Sequence, residues 1–235
     1  MPGPAETKAV PVLLSWDETP AFRGIRLALP PDLARSYAIP GQLVKARTAA
    51  GEGYFALASA PAPSGHAELL VKRGGRIADA VIASALPGGR LELTAPFGDG
   101  FPVEEASGRD VLLFAAGSGI APVRAVVQWI MAHRDEVGRV TLFYGQRHGA
   151  EFAYRDEHLA WERHGVRVIL CPSGEDDAWK GMRGRVHEVA HALALGGIVP
   201  GDAIAFVAGM TAMVDDVRRT LRDEGVPPAR VHVNF

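Results

Sequence analysis

An apolar run, Val111-Leu112-Leu113-Phe114-Ala115-Ala116, passes directly into Gly117-Ser118-Gly119-Ile120-Ala121-Pro122 and then into a helix-patterned segment, Val123 to His133. A buried strand that turns through glycines into a helix is a physical means of holding a pyrophosphate. Glycines permit positive φ and let backbone approach ligand oxygens, while the free N–H groups and dipole of the helix start attract the anion. Pro122 suits the first helical turn, where its missing N–H costs nothing. It also stands where the plain dinucleotide fingerprint has a third glycine, so the motif departs from that fingerprint. A G-x-G turn by itself is also an ordinary left-handed turn; the strand before it and the helix after it point to a nucleotide.

With 235 residues, 48% of them hydrophobic and 22% charged, the chain has the composition of a soluble globular protein of one large or two ordinary domains. A net charge of −2 and the lack of a Lys/Arg block argue against nucleic-acid binding. The single cysteine, Cys171, excludes an internal disulfide and any iron–sulfur cluster held by four thiolates of this chain. Met1 to Glu6 lacks a basic region followed by an apolar run, so no signal peptide is expected. No apolar run approaches the roughly 18 residues of a membrane span, and the expected compartment is the cytoplasm.

Two textures divide the chain. Short alternating strands are expected at Val10–Ser15, Phe22–Leu29, Gln42–Arg47, Tyr54–Ala58, Glu68–Val71 and Arg90–Thr94, with one helix at Ile77–Leu86 after Gly74-Gly75. Their Pro/Gly punctuation predicts a small antiparallel barrel. From Arg109 the rhythm becomes strand and helix in alternation. Strands are expected at Val111–Ala115, Val140–Tyr144, Val166–Leu170, Ala203–Val207 and Arg230–Val233. Helices are expected at Ala121–His133, Glu151–His164, Arg185–Leu195 and Ala212–Glu224. That alternation predicts a parallel sheet covered by helices on both faces. The expected division is a disordered tail over 1–8, a barrel domain over 9–106 and an α/β nucleotide-binding domain over 107–235, with a ligand cleft between the two domains.

This order of elements resembles the ferredoxin–NADP reductase superfamily over nearly the whole chain. Four segments carry the resemblance: Tyr54-Phe55-Ala56-Leu57-Ala58-Ser59, Ala95-Pro96-Phe97-Gly98-Asp99-Gly100-Phe101, the Gly117–Pro122 turn, and Ala208-Gly209-Met210-Thr211-Ala212-Met213 through Asn234-Phe235. The second segment is similar to the electron-transfer subunits of dihydroorotate dehydrogenase and sulfhydrogenase. Those subunits carry a cysteine-ligated cluster, for which this chain has no cysteines. It looks more like the single-chain reductase-like proteins ending in Asn-Phe. The resemblance implies FAD in the barrel, NADPH or NADH on the C-terminal domain, hydride transfer between the rings, and an external electron acceptor: a ferredoxin, a flavodoxin, a quinone or a partner subunit.

The resemblance assigns the flavin to Tyr54, Phe55, Ala56, Leu57 and Ser59, and its phosphates to the stretch of Val71, Lys72, Gly75, Arg76, Ile77 and Ala78. It assigns the nicotinamide nucleotide to Gly117, Ser118, Gly119 and Pro122, with Gly209, Met210 and Met213. Tyr154 matches the position that stacks the adenine, and Phe235 the C-terminal aromatic that covers the isoalloxazine until nicotinamide displaces it. Where the family places an Arg, a Tyr and a Ser against the flavin, this chain has Gly53, Phe55 and Ala56. Phe55 can still stack, and Lys72, Arg73 and Arg76 are candidates for the missing positive field, unless they form only a solvated basic turn. The family's cysteine beside the nicotinamide is here Ala208. A non-catalytic nucleotide-binding module of the same fold is the alternative that these departures keep open.

Arg147 ends the second strand of the parallel sheet with no acid beside it, which favours a 2′-phosphate and NADPH over a surface arginine without a ligand. His187-Glu188-Val189-Ala190-His191 fits H-E-x-x-H, a zinc-hydrolase signature. No third ligand follows at a suitable spacing and the segment lies inside the β-α alternation, so two surface imidazoles and no metal are expected. Cys171 at the end of the third strand is expected to be a small buried hydrophobe. Trp179 is either a surface aromatic or a lid over the cleft.

Overall fold

The computed structural model describes residues 6–176 and 178–234. Its first half is a six-stranded antiparallel sheet of β1 (Lys8–Thr19), β2 (Phe22–Ala28), β3 (Leu43–Thr48), β4 (Gly51–Ala56), β5 (His66–Lys72) and β6 (Arg90–Leu93), in the order β4-β3-β6-β1-β2-β5. A bridge from Leu57 to Leu69 brings the two ends of that order together into a barrel. Inward-facing Val10, Val12, Ile25, Leu27, Val44, Leu69 and Leu91 fill it, the two-residue period expected of strands with one buried face. Two helices attach to the barrel: α1 (Pro31–Ser36) and α2 (Arg76–Ser84). The Pro30-Pro31 pair, expected as turn punctuation, starts α1 instead. Proline at the first helical position already has a helical φ and lacks only an N–H that would go unused there.

The second half is a five-stranded parallel sheet of β7 (Val111–Ala116), β8 (Val140–Gln146), β9 (Val166–Pro172), β10 (Ile204–Ala208) and β11 (Val231–Val233), in the order β11-β10-β7-β8-β9. Four helices cross between strands: α3 (Ile120–Ala132), α4 (Arg155–Arg163), α5 (Val186–Ala192) and α6 (Thr211–Asp223). β7 and β10 are covered on both faces, which is why their sequences are continuous apolar runs. The order runs outward from β7 through β8 and β9 on one side and through β10 and β11 on the other. The crevice at the carboxyl ends of β7 and β10 is therefore the topological switch point, where open α/β sheets take their ligands.

The stretch between the two sheets is not a free linker. Val103–Ala106 forms a 3₁₀ turn whose Val103 and Ala106 are buried, and Ser107 bridges to Val137. Phe22, Ala58, Leu70 and Phe101 from the barrel half join one apolar cluster with Leu113, Ile120, Val123 and Phe206 of the parallel-sheet half. Phe101 packs on Phe206 with ring centroids 5.3 Å apart. Lys8, placed in the expected tail, pairs with Leu93 as the first residue of β1. Among the described residues, no helix is long and apolar enough to cross a membrane.

Candidate functional site

A cleft of about 1560 Å³ opens between the barrel and the carboxyl edge of the parallel sheet. Tyr54, Phe55 and Ala56 line it from β4, Lys72 from the end of β5, Ala78 from α2, and Leu43 and Phe97 from beside β4. The opposite wall comes from strand ends: Gly117, Ser118 and Gly119 after β7, Gln146 and Arg147 at the end of β8, Cys171 and Ser173 at β9, and Gly209 and Met210 after β10. Tyr54 is 65% exposed and meets Phe97 edge to face with centroids 6.0 Å apart, so an aromatic surface faces the opening.

The two glycines of the Gly117–Gly119 turn are needed for different reasons. Gly117 has φ +59°, the left-handed region, and no atom lies within 4 Å of where its Cβ would be. Gly119 has an ordinary helical φ of −60°. Its restriction is steric, since a Cβ there would lie 2.2 Å from the carbonyl oxygen of Ala208. The turn feeds α3 through Pro122, and the helix start faces the cleft with no side-chain cap on its N–H groups. Gln146 Nε2 donates to Tyr144 Oη at 2.7 Å and reaches the Gly117 carbonyl at 3.5 Å, a contact between the end of β8 and the turn. Bare backbone, a helix start and an apolar crevice fit a dinucleotide phosphate.

The flavin assignments divide. Tyr54, Phe55, Ala56, Lys72 and Ala78 reach the cleft; Leu57, Ser59, Val71, Gly75, Arg76 and Ile77 do not line it. Leu57 and Val71 are fully buried in the barrel core. Ser59 Oγ accepts the Glu68 N–H at 3.0 Å, and the Ser59 carbonyl accepts the Tyr37 hydroxyl. Gly75 caps α2, and Ile77 packs over Gly53, where a Cβ would come within 2.9 Å of Ile77 Cγ2. The basic cluster divides likewise. Arg76 donates to the Ala50 carbonyl on the β3–β4 turn and Arg73 pairs with Asp17, leaving Lys72 as the one of the three that lines the cleft. The aromatic floor and Lys72 fit a flavin with a phosphate tail, while neither the guanidinium nor the hydroxyl of the family motif has a substitute at positions 53 and 56.

Tyr154 does not offer its ring to an adenine. It is 3% exposed, has φ 61° ahead of α4, and lies beneath the Arg124 guanidinium, 4.4 Å from the ring centroid. Burial drives its hydroxyl pKa well above the ordinary value. Trp179 is turned away as well, its indole N–H donating to the Met182 carbonyl at 2.9 Å and its ring tilted against Phe152. Phe235 lies outside the described residues. Gly209, Met210, Met213, Pro122 and Arg147 all line the cleft.

The H-E-x-x-H histidines part company. His191 pairs with Glu224, whereas His187 lines the cleft with Nδ1 4.0 Å from Asp216 Oδ2. The reading of both as surface imidazoles therefore misses His187, together with Arg185 and Asp216 beside it. Among the described residues, no group of three or more His, Cys, Asp or Glu side chains is placed to hold a metal. Cys171 is fully buried, and burial pushes its thiol up to about 12. Ser173 and Gly174 also line the cleft, and their place just beyond a parallel strand is the sequence signal for it.

The family model for the oxidoreductase NAD-binding domain matches residues 113–219. Sulfhydrogenase 1 subunit gamma of Pyrococcus furiosus is 30% identical over 211 residues, an alignment covering 87% of this chain and 70% of that protein. A ferredoxin–NAD(P)(+) reductase of Metapseudomonas resinovorans is 31% identical over 200 residues, covering 83% of this chain and 59% of that protein. The chain thus spans somewhat more than half the length of the latter relative. Among solved structures, a ferredoxin NADP+ reductase from Neisseria gonorrhoeae with bound FAD and NADP aligns with a TM-score of 0.82 at 19% identity, over 99% of this chain and 100% of that one. A barrel and a parallel sheet in this order, meeting at this cleft, accompany that sequence likeness: the chain belongs to the ferredoxin–NADP reductase superfamily.

Proposed function

We infer that the protein is an FAD-dependent NAD(P)H oxidoreductase that passes electrons to an external protein acceptor. The observation that carries this reading is the single cleft in which the aromatic edge of β4 faces the Gly117–Pro122 turn at the switch point of the parallel sheet. A bound flavin would supply hydride acceptance from nicotinamide and electron release to the acceptor. The chain's own residues bind, orient and exclude water. Tyr54 and Phe55 offer ring faces, Lys72 places a cation at the phosphate end, and the backbone of Gly117–Gly119 leaves room for a pyrophosphate. Met210 and Met213 give the nicotinamide side polarizable, adaptable walls. No acid or base among these residues would be required, because hydride transfer from a bound nicotinamide to a bound flavin needs none.

The names of the relatives describe subunits and reductase components, which favours a ferredoxin or a partner subunit over a quinone as acceptor. We place the 2′-phosphate of NADPH beside Arg147, which is exposed at the cleft with Ser173 next to it. Purified protein supplied with FAD should retain about one flavin per chain, and NADPH should bleach its visible absorbance. Failure to retain FAD at micromolar concentration would sink the reading. Arg147→Ala should weaken NADPH about tenfold or more while leaving NADH unchanged, the value of one charge-assisted hydrogen bond. Equal effects on both coenzymes would remove Arg147 from the phosphate site.

A further inference from the structure

Arg124, on α3, is buried inside the interface between the two halves, with its side chain 7% exposed. Nε donates to Oε1 and Oε2 of Glu157 at 3.0 and 2.9 Å, and Nη2 donates to Glu157 Oε1 at 2.6 Å. Nη1 crosses to the barrel, donating to the Ala58 carbonyl at 2.7 Å and to Glu68 Oε2 at 2.8 Å. Glu68 is 8% exposed and receives Arg26 Nε on its other oxygen at 2.8 Å. Two more bonds cross beside it. Gln128 Oε1 accepts the Ala60 N–H at 2.8 Å, and Glu18 Oε1 accepts the Tyr154 N–H at 2.5 Å.

The location of these bonds matters more than their number. Arg124 follows Pro122 on the helix that opens at the nucleotide turn; Ala58 follows Ala56 on the chain that leaves the flavin strand. One side chain therefore joins the helix that opens at the nucleotide turn to the chain that leaves the flavin strand. A buried ion pair adds little net stability, because desolvation offsets much of the attraction, but breaking one is costly and its geometry is strict. The fork of a guanidinium serves three separate acceptors in one plane, which a lysine ammonium cannot do.

We propose that Arg124 is a positioning residue: by joining Ala58 and Glu68 to Glu157 it fixes the nucleotide-binding helix against the flavin-binding strand, and so sets the approach of nicotinamide to flavin. This rests on the FAD and NAD(P)H reading above. Two variants test it: Arg124→Lys, and Glu157→Gln at the end of the network that is 34% exposed. In flavin-loaded protein, both should slow flavin reduction at saturating NADPH by about tenfold or more, since misplacement by about an ångström can cost two orders of magnitude. The Kd for NADP+ should stay within about twofold, and the nicotinamide–flavin charge-transfer band should lose intensity. Unchanged reduction rates overturn the proposal, as does a loss of nucleotide affinity equal to the loss of rate.

Calorimetry without flavin gives the independent arm. Arg124→Lys should unfold at a lower temperature than the wild type and over a broader range, because the halves lose the guanidinium's share of their coupling while the Ala60–Gln128 and Glu18–Tyr154 bonds remain. An unchanged midpoint and width in the variant overturn the coupling. A wild type that binds no flavin overturns the functional reading, and the calorimetric result then still decides whether Arg124 joins the halves.

Discussion

Gly119 lies directly beneath the carbonyl of Ala208, so that β7's turn and the end of β10 touch backbone to backbone at the floor of the cleft. Only a residue without a Cβ allows that approach. Gly119→Ala should cost about 1–3 kcal/mol of stability, the range for forcing a methyl into a packed site. It should also weaken nucleotide binding, because the helix start must move. Gly117→Ala has open space and meets only the left-handed backbone penalty of about 1–2 kcal/mol. Urea unfolding and NADP+ titration of the two variants check the contrast; unaltered NADP+ binding in Gly119→Ala would show that the contact has no part in holding the nucleotide.

Cys171 should be silent toward thiol reagents. Its side chain is fully buried at the end of β9, and its thiol is raised to about 12, so almost no thiolate forms near neutral pH. A disulfide reagent at pH 8 should leave the native protein unlabelled and modify one thiol per chain in urea. Rapid labelling of the folded protein would mean that the cleft exposes the sulfur.

His158 should make stability fall in mild acid. Burial against Trp161 lowers its pKa from 6.5 to about 4, because the imidazolium would be desolvated. The folded-state value lies below the unfolded one, so the unfolded chain takes up a proton that the folded chain refuses. The stability at stake is therefore complete above pH 6.5, declines as pH falls toward 4, and is lost below that. Its size is on the order of 3 kcal/mol. Urea unfolding between pH 8 and pH 4 should show the slope, and His158→Leu should flatten it. An identical slope in the variant would assign the acid sensitivity elsewhere.

The strands and most helices were legible because their patterns are local. β7 is an unbroken apolar run, and α6 repeats Val214, Val217 and Leu221 on one buried face. The strand order was not legible, since the pairing of β6 with both β1 and β3 is decided by barrel closure and not by any short segment. At the site, glycine turns and strand-end residues could be read from spacing. Tyr154 could not. Its phenol is apolar enough for a core and polar enough for a ligand, and what decides is Arg124, distant in sequence, lying over its ring. Arg76 and Lys72 look alike in sequence; the β3–β4 turn claims the first and leaves the second. His187 and His191 share one motif, yet Asp216 on α6 and Glu224 just beyond it draw them to different surroundings.

The methyl of Ile77 that covers Gly53 makes an arginine hard to place at that position. A side chain at 53 would meet Ile77 Cγ2 at 2.9 Å and the Phe55 ring at 3.3 Å, and β-branched Ile77 has little rotamer freedom with which to retreat. Gly53→Arg alone would have to push α2 away from β4 before its charge could reach a phosphate. A guanidinium at 53 avoids that cost only where Ile77 is trimmed as well, so the two positions are coupled: a smaller residue at 77 is the condition for a larger one at 53.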